Sequence, residues 1–174
     1  MLFLFDTRLG RCGLAWGEAG LRSVSFAHDS DDATRAALRR RAPDAVETDA
    51  PPVMVVQVID DIASLFQGAS RDFSQAVLDM SGVGEFERRI YALSRKIQPG
   101  EVKTYGDLAR ALGDISLSRR VGQALGRNPF PIIVPCHRIV GADGAMTGFS
   151  APGGAELKRK LLKIEGALEP ELFD

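Results

Sequence analysis

Short hydrophobic runs separated by turn residues occupy the beginning of the chain. Residues 2–5, 12–16 and 21–26 are rich in side chains that favour strands, and Gly10 and residues 18–20 interrupt them. Runs of this length with turn signals between them are typical of strands joined by short turns. The pattern therefore predicts an antiparallel meander of three strands.

Hydrophobic residues at helical spacing follow these strands. Residues 31–41 start with acidic and finish with basic side chains, which favours a helix that stops at Pro43. In residues 52–66 apolar side chains recur every three or four positions, so a second helix is predicted there. A short strand is expected at residues 73–78. The first part of the chain is thus predicted to be an α/β domain.

The second part of the chain has the spacing of helices. A strong helical pattern stops at residues 99–100, and its apolar positions are Phe86, Ile90, Leu93 and Ile97. A last helix is predicted at residues 155–165, with Leu157, Leu161 and Ile164 on one face and several lysines beside them. This part is therefore expected to be mainly α-helical.

Two short helices joined by a tight turn are predicted between these two. The first spans residues 104–112 and begins with a cap formed by Thr104 and Asp107. The second is capped by Ser116 or Ser118. Such a pair is a candidate helix-turn-helix, with a plain helical hairpin as the alternative.

The second of these helices has a basic outer face. It runs to about residue 126 and carries Arg119 and Arg120, while Val121, Ala124 and Leu125 point inward. A helix that enters a DNA groove needs a basic outer face and small inner residues. This composition favours DNA binding by the second helix.

The composition is that of an ordinary globular protein. Of 174 residues, 45% are hydrophobic and 26% are charged, which excludes a disordered chain. No apolar run approaches the roughly 18 residues of a membrane span, and the first residues lack a signal peptide. We therefore expect a cytoplasmic protein with no membrane partner. Residues 81–84 form the best linker, which predicts domains at residues 1–80 and 83–174.

The formal net charge of -1 conceals two opposite halves. Residues 1–80 carry a net charge of -4, whereas residues 88–163 carry 14 basic and 5 acidic side chains, a net charge of +9. A basic segment of this kind is typical of a protein that binds a polyanion. The alternative is that the lysines and arginines only solvate helix faces.

The two cysteines do not suit a disulfide framework or a zinc site. Cys12 and Cys136 are the only cysteines, so each is expected to be a free thiol. Cys12 and His28 supply two of the four ligands that a structural zinc ion needs, and no metal or other cofactor is expected.

Cys136 is the candidate nucleophile of the basic half. A thiol becomes reactive when a cation, a helix N-terminus or a base stabilises its thiolate. His137 is the nearest imidazole, and a water could join the two side chains if the segment is extended. Glu165 is the candidate carboxylate that orients this imidazole. The alternative for a single cysteine is an inert core thiol.

A longer motif surrounds Cys136. Residues 135–138 read Pro-Cys-His-Arg, with Gly-Arg-Asn-Pro at 126–129 before them and Thr-Gly-Phe-Ser at 147–150 after them. This pattern closely resembles the O6-alkylguanine-DNA alkyltransferase family over residues 83–165. The resemblance implies an α/β N-terminal domain, ribonuclease H-like with an antiparallel sheet plus helices. It implies that a mainly α-helical winged helix-turn-helix DNA-binding domain follows.

The resemblance also implies an activity. In this family the motif cysteine takes an alkyl group from the O6 atom of a guanine flipped out of duplex DNA, once per protein molecule, in direct-reversal DNA repair. The implied partner is double-stranded DNA containing O6-alkylguanine, with O4-alkylthymine as an open second substrate, and the implied state is a monomer.

By resemblance, individual residues acquire roles. Cys136 is the alkyl acceptor, His137 its base through a water, Glu165 the residue that orients His137, Asn128 the residue that holds the active-site turns, and Tyr105 the aid to the leaving guanine. The implied DNA-binding residues are Arg119 as the finger that fills the vacated stack, Arg120, Tyr105, Arg127 and Arg138. The implied substrate pocket consists of Phe149, Ser150, Pro131, Val134 and Gly148.

The sequence departs from the family pattern in one loop. Phe149 stands where the family has a tyrosine, which keeps the ring and loses the hydroxyl group. Residues 151–152 lengthen the loop before its two glycines. Both changes lie where the alkyl pocket is expected.

Three other functions are compatible with parts of the pattern. A non-catalytic protein that binds alkylated DNA would lack the acceptor, which the presence of Cys136 opposes. A winged-helix regulator with a reactive thiol would need a dimer interface and base-specific contacts. A Cys-His hydrolase would turn over repeatedly and would not depend on DNA.

Overall fold

Three antiparallel strands form the sheet of the first part of the chain. In the computed structural model, which describes residues 1–169, they are β1 (Leu2–Thr7), β2 (Gly10–Gly17) and β3 (Gly20–Ser25). The sheet order is β1-β2-β3, with Leu2 paired to Ala15 and Gly13 paired to Ser25. The predicted meander is confirmed.

Two helices accompany this sheet. They are α1 (Asp31–Arg39), capped by the Ser30 side chain, and α2 (Val53–Phe66). The predicted end of α1 at residue 41 is wrong by two residues. The buried side chains Leu2, Leu4, Ala15 and Leu38 belong to one apolar cluster, which joins the strands to α1.

The strand predicted at residues 73–78 is absent from the structure. One isolated bridge pairs Leu78 with Leu21, and the amide of Leu21 donates to the carbonyl of Val77 at 2.9 Å. The side chains of Phe73 and Ala76 are nevertheless buried. The hydrophobic run therefore reflects burial of a turn segment beside β3, without a ladder.

The chain divides into two compact units. The first comprises residues 1–82 and 129–133, and the second comprises residues 83–128 and the chain from residue 134. The sequence places residues 129–133 in the second domain, whereas the structure groups them with the first. The amide of Val24 in β3 donates to the carbonyl of Pro129 at 2.8 Å. Within this segment Ile132 has φ of 76°, a conformation that is rare for a β-branched residue.

The described part of the second unit contains four helices and a two-stranded parallel sheet. The helices are α3 (Glu85–Ser94), α4 (Tyr105–Ala111), α5 (Ser118–Gly126) and α6 (Gly154–Ile164). The short strands β4 (Lys103–Thr104) and β5 (Ile139–Val140) pair in parallel. The coarse prediction of an α/β part followed by a mainly helical part is confirmed.

Two helix ends differ from the prediction. Helix α3 stops at Ser94, three residues before the buried Ile97, so the apolar stripe continues beyond the last helical turn. Thr104 and Asp107 form the predicted capping box of α4. Neither Ser116 nor Ser118 caps α5, because the Asp114 side chain caps a 3-10 turn at Ile115–Leu117 that leads into it.

The part of the chain that the structure describes holds no helix both long enough and apolar enough to cross a membrane.

Candidate active site

Cys136 is the first residue of a tight turn, and the two residues before it in the sequence are buried. Pro135 is followed by a 3-10 turn at Cys136–Arg138, and the thiol residue is 9% exposed. The chain therefore turns at Cys136 and is not extended there, a choice that the sequence leaves open. Burial raises the pKa of the Cys136 thiol, while a hydrogen bond from Asn128 and the charge of Lys158 oppose that rise. Both partners favour the thiolate.

The imidazole of His137 is paired with Glu165, as predicted. Its Nε2 lies 2.9 Å from Oε1 of Glu165, and both side chains are almost completely buried. Burial lowers the pKa of His137, although the carboxylate acts in the opposite direction. Hydrogen bonds from His137 and from Arg138 overcome burial and lower the pKa of Glu165 to about 2.

These two pKa shifts determine which nitrogen of His137 is basic. An ionised carboxylate only accepts hydrogen bonds, so Nε2 of a neutral His137 carries the proton that it donates to Glu165. The Nδ1 atom then holds the free lone pair. It is buried and has no hydrogen-bond partner among the described residues. The arrangement can accept a proton at Nδ1.

Arg138 is buried inside the second unit. Its Nε and Nη2 donate to Glu165 at 2.8 and 2.9 Å, and its Nη1 donates to the carbonyl of Ile97 at 2.6 Å. With 4% of its surface exposed, the side chain has no access to a ligand outside. The predicted DNA-binding role of Arg138 is therefore wrong, and its charge balances Glu165.

Asn128 holds the start of the active-site turn and the residues that lead into it. Its Nδ2 donates to the carbonyl of Val134 at 2.9 Å, and its side chain also forms the hydrogen bond that favours the Cys136 thiolate. A single amide thus fixes the backbone two residues before the cysteine and contacts the sulfur atom. This position fits the predicted role of Asn128.

Tyr105 is the first residue of α4 and reaches the loop that follows β5. Its hydroxyl donates to the carbonyl of Thr147 at 2.8 Å. Burial, with a smaller contribution from Cys136, raises the pKa of Tyr105 to about 12. The phenol therefore remains protonated and acts as a hydrogen-bond donor at neutral pH.

Lys158 is a site residue that the sequence analysis misses. Its side chain is fully buried in α6, and its Nζ donates to the carbonyls of Ile139 and Thr147 at 2.6 and 2.9 Å. Burial lowers the pKa of Lys158 to about 8, opposed by Cys136. Its ammonium group lies 5.8 Å from the centre of the Tyr105 ring. It is a buried cation that interacts electrostatically with the thiol.

The spacing along α6 contains a signal for Lys158. The predicted apolar face consists of Leu157, Leu161 and Ile164, but Leu157 and Ile164 are only half-buried. The buried positions are 158, 161 and 162, and residue 165 continues the same face. This face holds a lysine at one end and a glutamate at the other, an unusual pair for a core stripe.

Three of the predicted DNA-binding arginines lie on α5 or at its end. Arg119 and Arg120 are exposed. The guanidinium of Arg120 lies over the Phe86 ring, 3.9 Å from its centre. Nη2 of Arg127 is 3.0 Å from the carboxylate of Glu87. These positions leave the DNA-binding predictions for the three residues open.

The residues of the predicted pocket differ in their exposure to solvent. Gly148 and Ser150 are exposed, Phe149 is half-buried, and Val134 is fully buried. The Ser150 hydroxyl donates to the carbonyl of Gly126 at 3.1 Å. Pro131 belongs to the segment that groups with the first unit. The pocket itself stays a prediction.

The described residues contain no group of three or more His, Cys, Asp or Glu side chains placed to hold a metal ion. Cys12 is buried, and its sulfur lies 3.7 Å from the hydroxyl of Thr7.

Comparison with known proteins gives consistent matches. Residues 85–167 match the family described as 6-O-methylguanine DNA methyltransferase, DNA binding domain. A methylated-DNA–protein-cysteine methyltransferase of Methanosarcina acetivorans is 33% identical over 165 residues, which are 94% of this chain and 97% of that protein.

Solved structures are similar over nearly the whole chain. The O6-methylguanine methyltransferase of Mycobacterium tuberculosis has a TM-score of 0.75 at 29% identity and covers 100% of both chains. A second structure, of Mycobacterium tuberculosis OGT in complex with DNA, has a TM-score of 0.76 at 30% identity and covers 95% of this chain and 92% of that chain.

Proposed function

The chain belongs to the methylated-DNA–protein-cysteine methyltransferase family, and from this premise we propose that Cys136 is its methyl acceptor. The protein is a DNA repair methyltransferase that acts on O6-alkylguanine in DNA. The observation that supports Cys136 most strongly is its environment, because a buried thiol contacts Asn128 and interacts with the cation of Lys158 beside a His137–Glu165 pair.

Activation of the thiol begins with proton removal. The Nδ1 atom of His137 takes the proton of Cys136, directly or through a water, while Glu165 holds Nε2. Arg138 balances the charge of Glu165, so the positive charge of Lys158 remains to stabilise the thiolate. Lys158 stays protonated below a pH of about 8, which includes neutral pH.

Alkyl transfer is a displacement at carbon. The Cys136 sulfur forms a bond to the alkyl carbon as the bond from that carbon to O6 of guanine breaks. The bonding pair moves to the guanine, which takes up a proton. Tyr105 is the proposed hydrogen-bond donor to the leaving base, because its high pKa keeps the hydroxyl protonated, and the proton that the guanine takes up is balanced by the one that Cys136 released. In the unbound protein this hydroxyl donates to Thr147, so substrate must take the place of that carbonyl.

The product is a thioether, which none of these residues is arranged to hydrolyse. Each molecule therefore performs one transfer, and the reaction is stoichiometric. The target carbon lies inside a duplex, so the base must leave the stack to reach the thiol. We propose that the pocket that receives it is formed by residues of the second unit, namely Gly148, Phe149, Ser150 and Val134.

DNA recognition is assigned to the helices of the second unit. We propose that the second unit is a winged helix-turn-helix domain in which α5 contacts DNA, with Arg119 as the finger, and that the first unit is ribonuclease H-like. The basic charge of this region supports contacts to phosphates and the minor groove more than base-specific reading. Activity on O4-alkylthymine and a cytoplasmic location also stay predictions.

A mass measurement tests the acceptor. When the protein is mixed with a duplex carrying one O6-methylguanine, we expect the peptide that contains Cys136 to gain one methyl group, up to one per protein molecule. The Cys136→Ala variant should show no gain, and Cys12→Ala should behave as wild type. Methylation that persists in Cys136→Ala would disprove the assignment. Multiple rounds of product formation would instead indicate a hydrolase.

A further inference from the structure

The three exposed arginines of α5 and its C-terminal end lie in three different environments. Arg127 contacts Glu87, whose carboxylate neutralises its charge. Arg120 lies over the ring of Phe86. Arg119 forms no hydrogen bond or ion pair with any residue that the structure describes. The adjacent residues Phe86 and Glu87 of α3 thus hold two arginines that are seven positions apart on α5.

The partner of Arg120 restrains it without neutralising it. An aromatic ring attracts a guanidinium through its face but has no negative charge to cancel the cation. The five N–H donors of a guanidinium lie in its plane, so stacking leaves them free for another ligand. Arg120 donates none of them to the described residues. A phosphate is the ligand that such a planar group of donors suits best.

We propose that Arg120 is a preorganised anchor for a DNA phosphate and that Phe86 is the residue that positions it. This inference rests on the proposed function, because it assigns a partner to the same DNA-binding helix. It also separates two neighbouring arginines. Arg119 is free to move into the base stack, while Arg120 is fixed toward α3 and contacts the backbone of the DNA.

The geometry of α5 supports this separation. Consecutive helical residues point about 100° apart, so Arg119 and Arg120 face different directions. Residues seven apart lie on nearly the same side, so Arg120 and Arg127 both face α3. Of these two, only Arg120 has no carboxylate partner among the described residues. Immobilising a long side chain before binding removes an entropic cost that a free arginine would incur on contact with phosphate.

Duplex affinity and its salt dependence provide the test. For Arg120→Ala we expect the slope of log affinity against log salt to fall by about one, the value for one lost phosphate contact. For Phe86→Leu the charge remains, so the slope should stay as in wild type while affinity falls about two- to tenfold. Phe86→Tyr keeps the ring and should restore affinity.

A double variant and two controls complete the experiment. The double variant Phe86→Leu, Arg120→Ala should bind no more weakly than Arg120→Ala alone, because both changes remove the same phosphate contact. Arg8→Ala removes an exposed arginine of the β1–β2 turn and should leave the slope unchanged. Methylation of Cys136 should proceed at the wild-type rate in Arg8→Ala, which lies outside the proposed DNA-binding residues.

Two outcomes would overturn the inference. One is an unchanged slope in Arg120→Ala, and the other is a simple sum of the two single effects in the double variant. Failure of the proposed function looks different, because wild-type protein would then acquire no methyl group. Thermal unfolding of each variant shows whether a loss of affinity follows from loss of the fold.

Discussion

At the scale of single residues, the buried charges around Cys136 determine the chemistry. Glu165 accepts hydrogen bonds from both His137 and Arg138, and these partners keep its carboxylate ionised despite burial. The pair of Glu165 and Arg138 is close to neutral. The active-site turn therefore receives its net positive charge from Lys158.

Glu165 should make stability depend on pH in the acid range. Its pKa is lowered from 4.5 to about 2 in the folded protein, so its contribution is complete above 4.5 and is lost as the pH falls through about 2. The lost free energy of unfolding is about 3 kcal/mol at most. Urea unfolding of Glu165→Gln across this range should show lower stability at neutral pH and a flatter pH dependence.

The exposed Glu156→Gln is a suitable control for this measurement. It removes a carboxylate from the same helix without touching the buried pair. Parallel curves for wild type and Glu165→Gln between pH 4.5 and 2 would contradict the role assigned to the Glu165 carboxylate.

Gly148 should be sensitive to a single methyl group. Its φ of 73° disfavours other residues, and an added Cβ would clash with the hydroxyl of Tyr105. We expect Gly148→Ala to displace Tyr105 and slow methyl transfer at saturating DNA by tenfold or more, on the order of a lost catalytic donor. Single-turnover kinetics measure this rate.

Gly144 provides the matched comparison. Its φ is 80°, so alanine carries a similar backbone cost, but no heavy atom lies within 4 Å of the added Cβ. Gly144→Ala should lower stability by about 1 kcal/mol and leave the transfer rate near wild type. Equal rates for the two variants would mean that the Tyr105 contact has no effect on the reaction.

Some residues of the site can be predicted from the sequence and others cannot, because the sequence does not show which charged side chains are buried. Cys136, His137 and Glu165 are recognisable because the motif at residues 135–138 and the family resemblance give them roles. Arg138 and Lys158 read as surface cations in the sequence, since composition does not show which long side chains fold inward. Each of them donates to a buried backbone carbonyl, a contact that depends on the tertiary fold and has no signal in the sequence.

At the scale of elements, helix α4 positions Tyr105 through its N-terminus. The Thr104 hydroxyl accepts from the amide of Asp107 at 3.0 Å, and the Asp107 carboxylate accepts from the amide of Thr104 at 2.8 Å. This reciprocal cap fixes the residue directly before Tyr105. Loss of this cap should therefore lower the stability of the fold and disturb the position of Tyr105.

Removal of the cap gives a measurable effect. Thr104→Ala should lower the free energy of unfolding by about 1 kcal/mol, whereas Thr104→Ser keeps the hydroxyl and should cost much less. Chemical denaturation of both variants measures the difference. If serine and alanine destabilise equally, the effect comes from the lost methyl group and not from the cap.

The sequence predicts an element well when residues close together in the chain determine it. The capping box of α4 and the three-strand meander are confirmed because neighbouring residues determine them. The strand at residues 73–78 is wrong because burial beside β3 produces the same hydrophobic run without a partner strand. The predicted end of α3 is wrong for a similar reason, because Ile97 is buried although it lies beyond the end of the helix.

At the scale of the whole molecule, charge is distributed unevenly along the chain. Residues 88–163 carry +9, and residues 1–80 carry -4. Binding to duplex DNA should therefore weaken steeply with salt, on the order of ten- to hundredfold between about 50 and 200 mM. Fluorescence anisotropy with an undamaged duplex measures this dependence.

An acidic residue of the first unit serves as the control. Asp49 is exposed, and Asp49→Asn should leave the salt slope unchanged if the basic segment alone determines it. An affinity independent of salt would mean that the basic residues only solvate the surface.

The grouping of residues 129–133 with the first unit has a consequence for how the protein can be divided. The carbonyl of Pro129 accepts from the amide of Val24, so β3 obtains this partner only after more than a hundred further residues of chain. Neither unit is a continuous stretch of sequence. A single cut at Gly82 therefore cannot yield two complete pieces, and on the ribosome the N-terminal unit stays unfinished until residue 133 emerges.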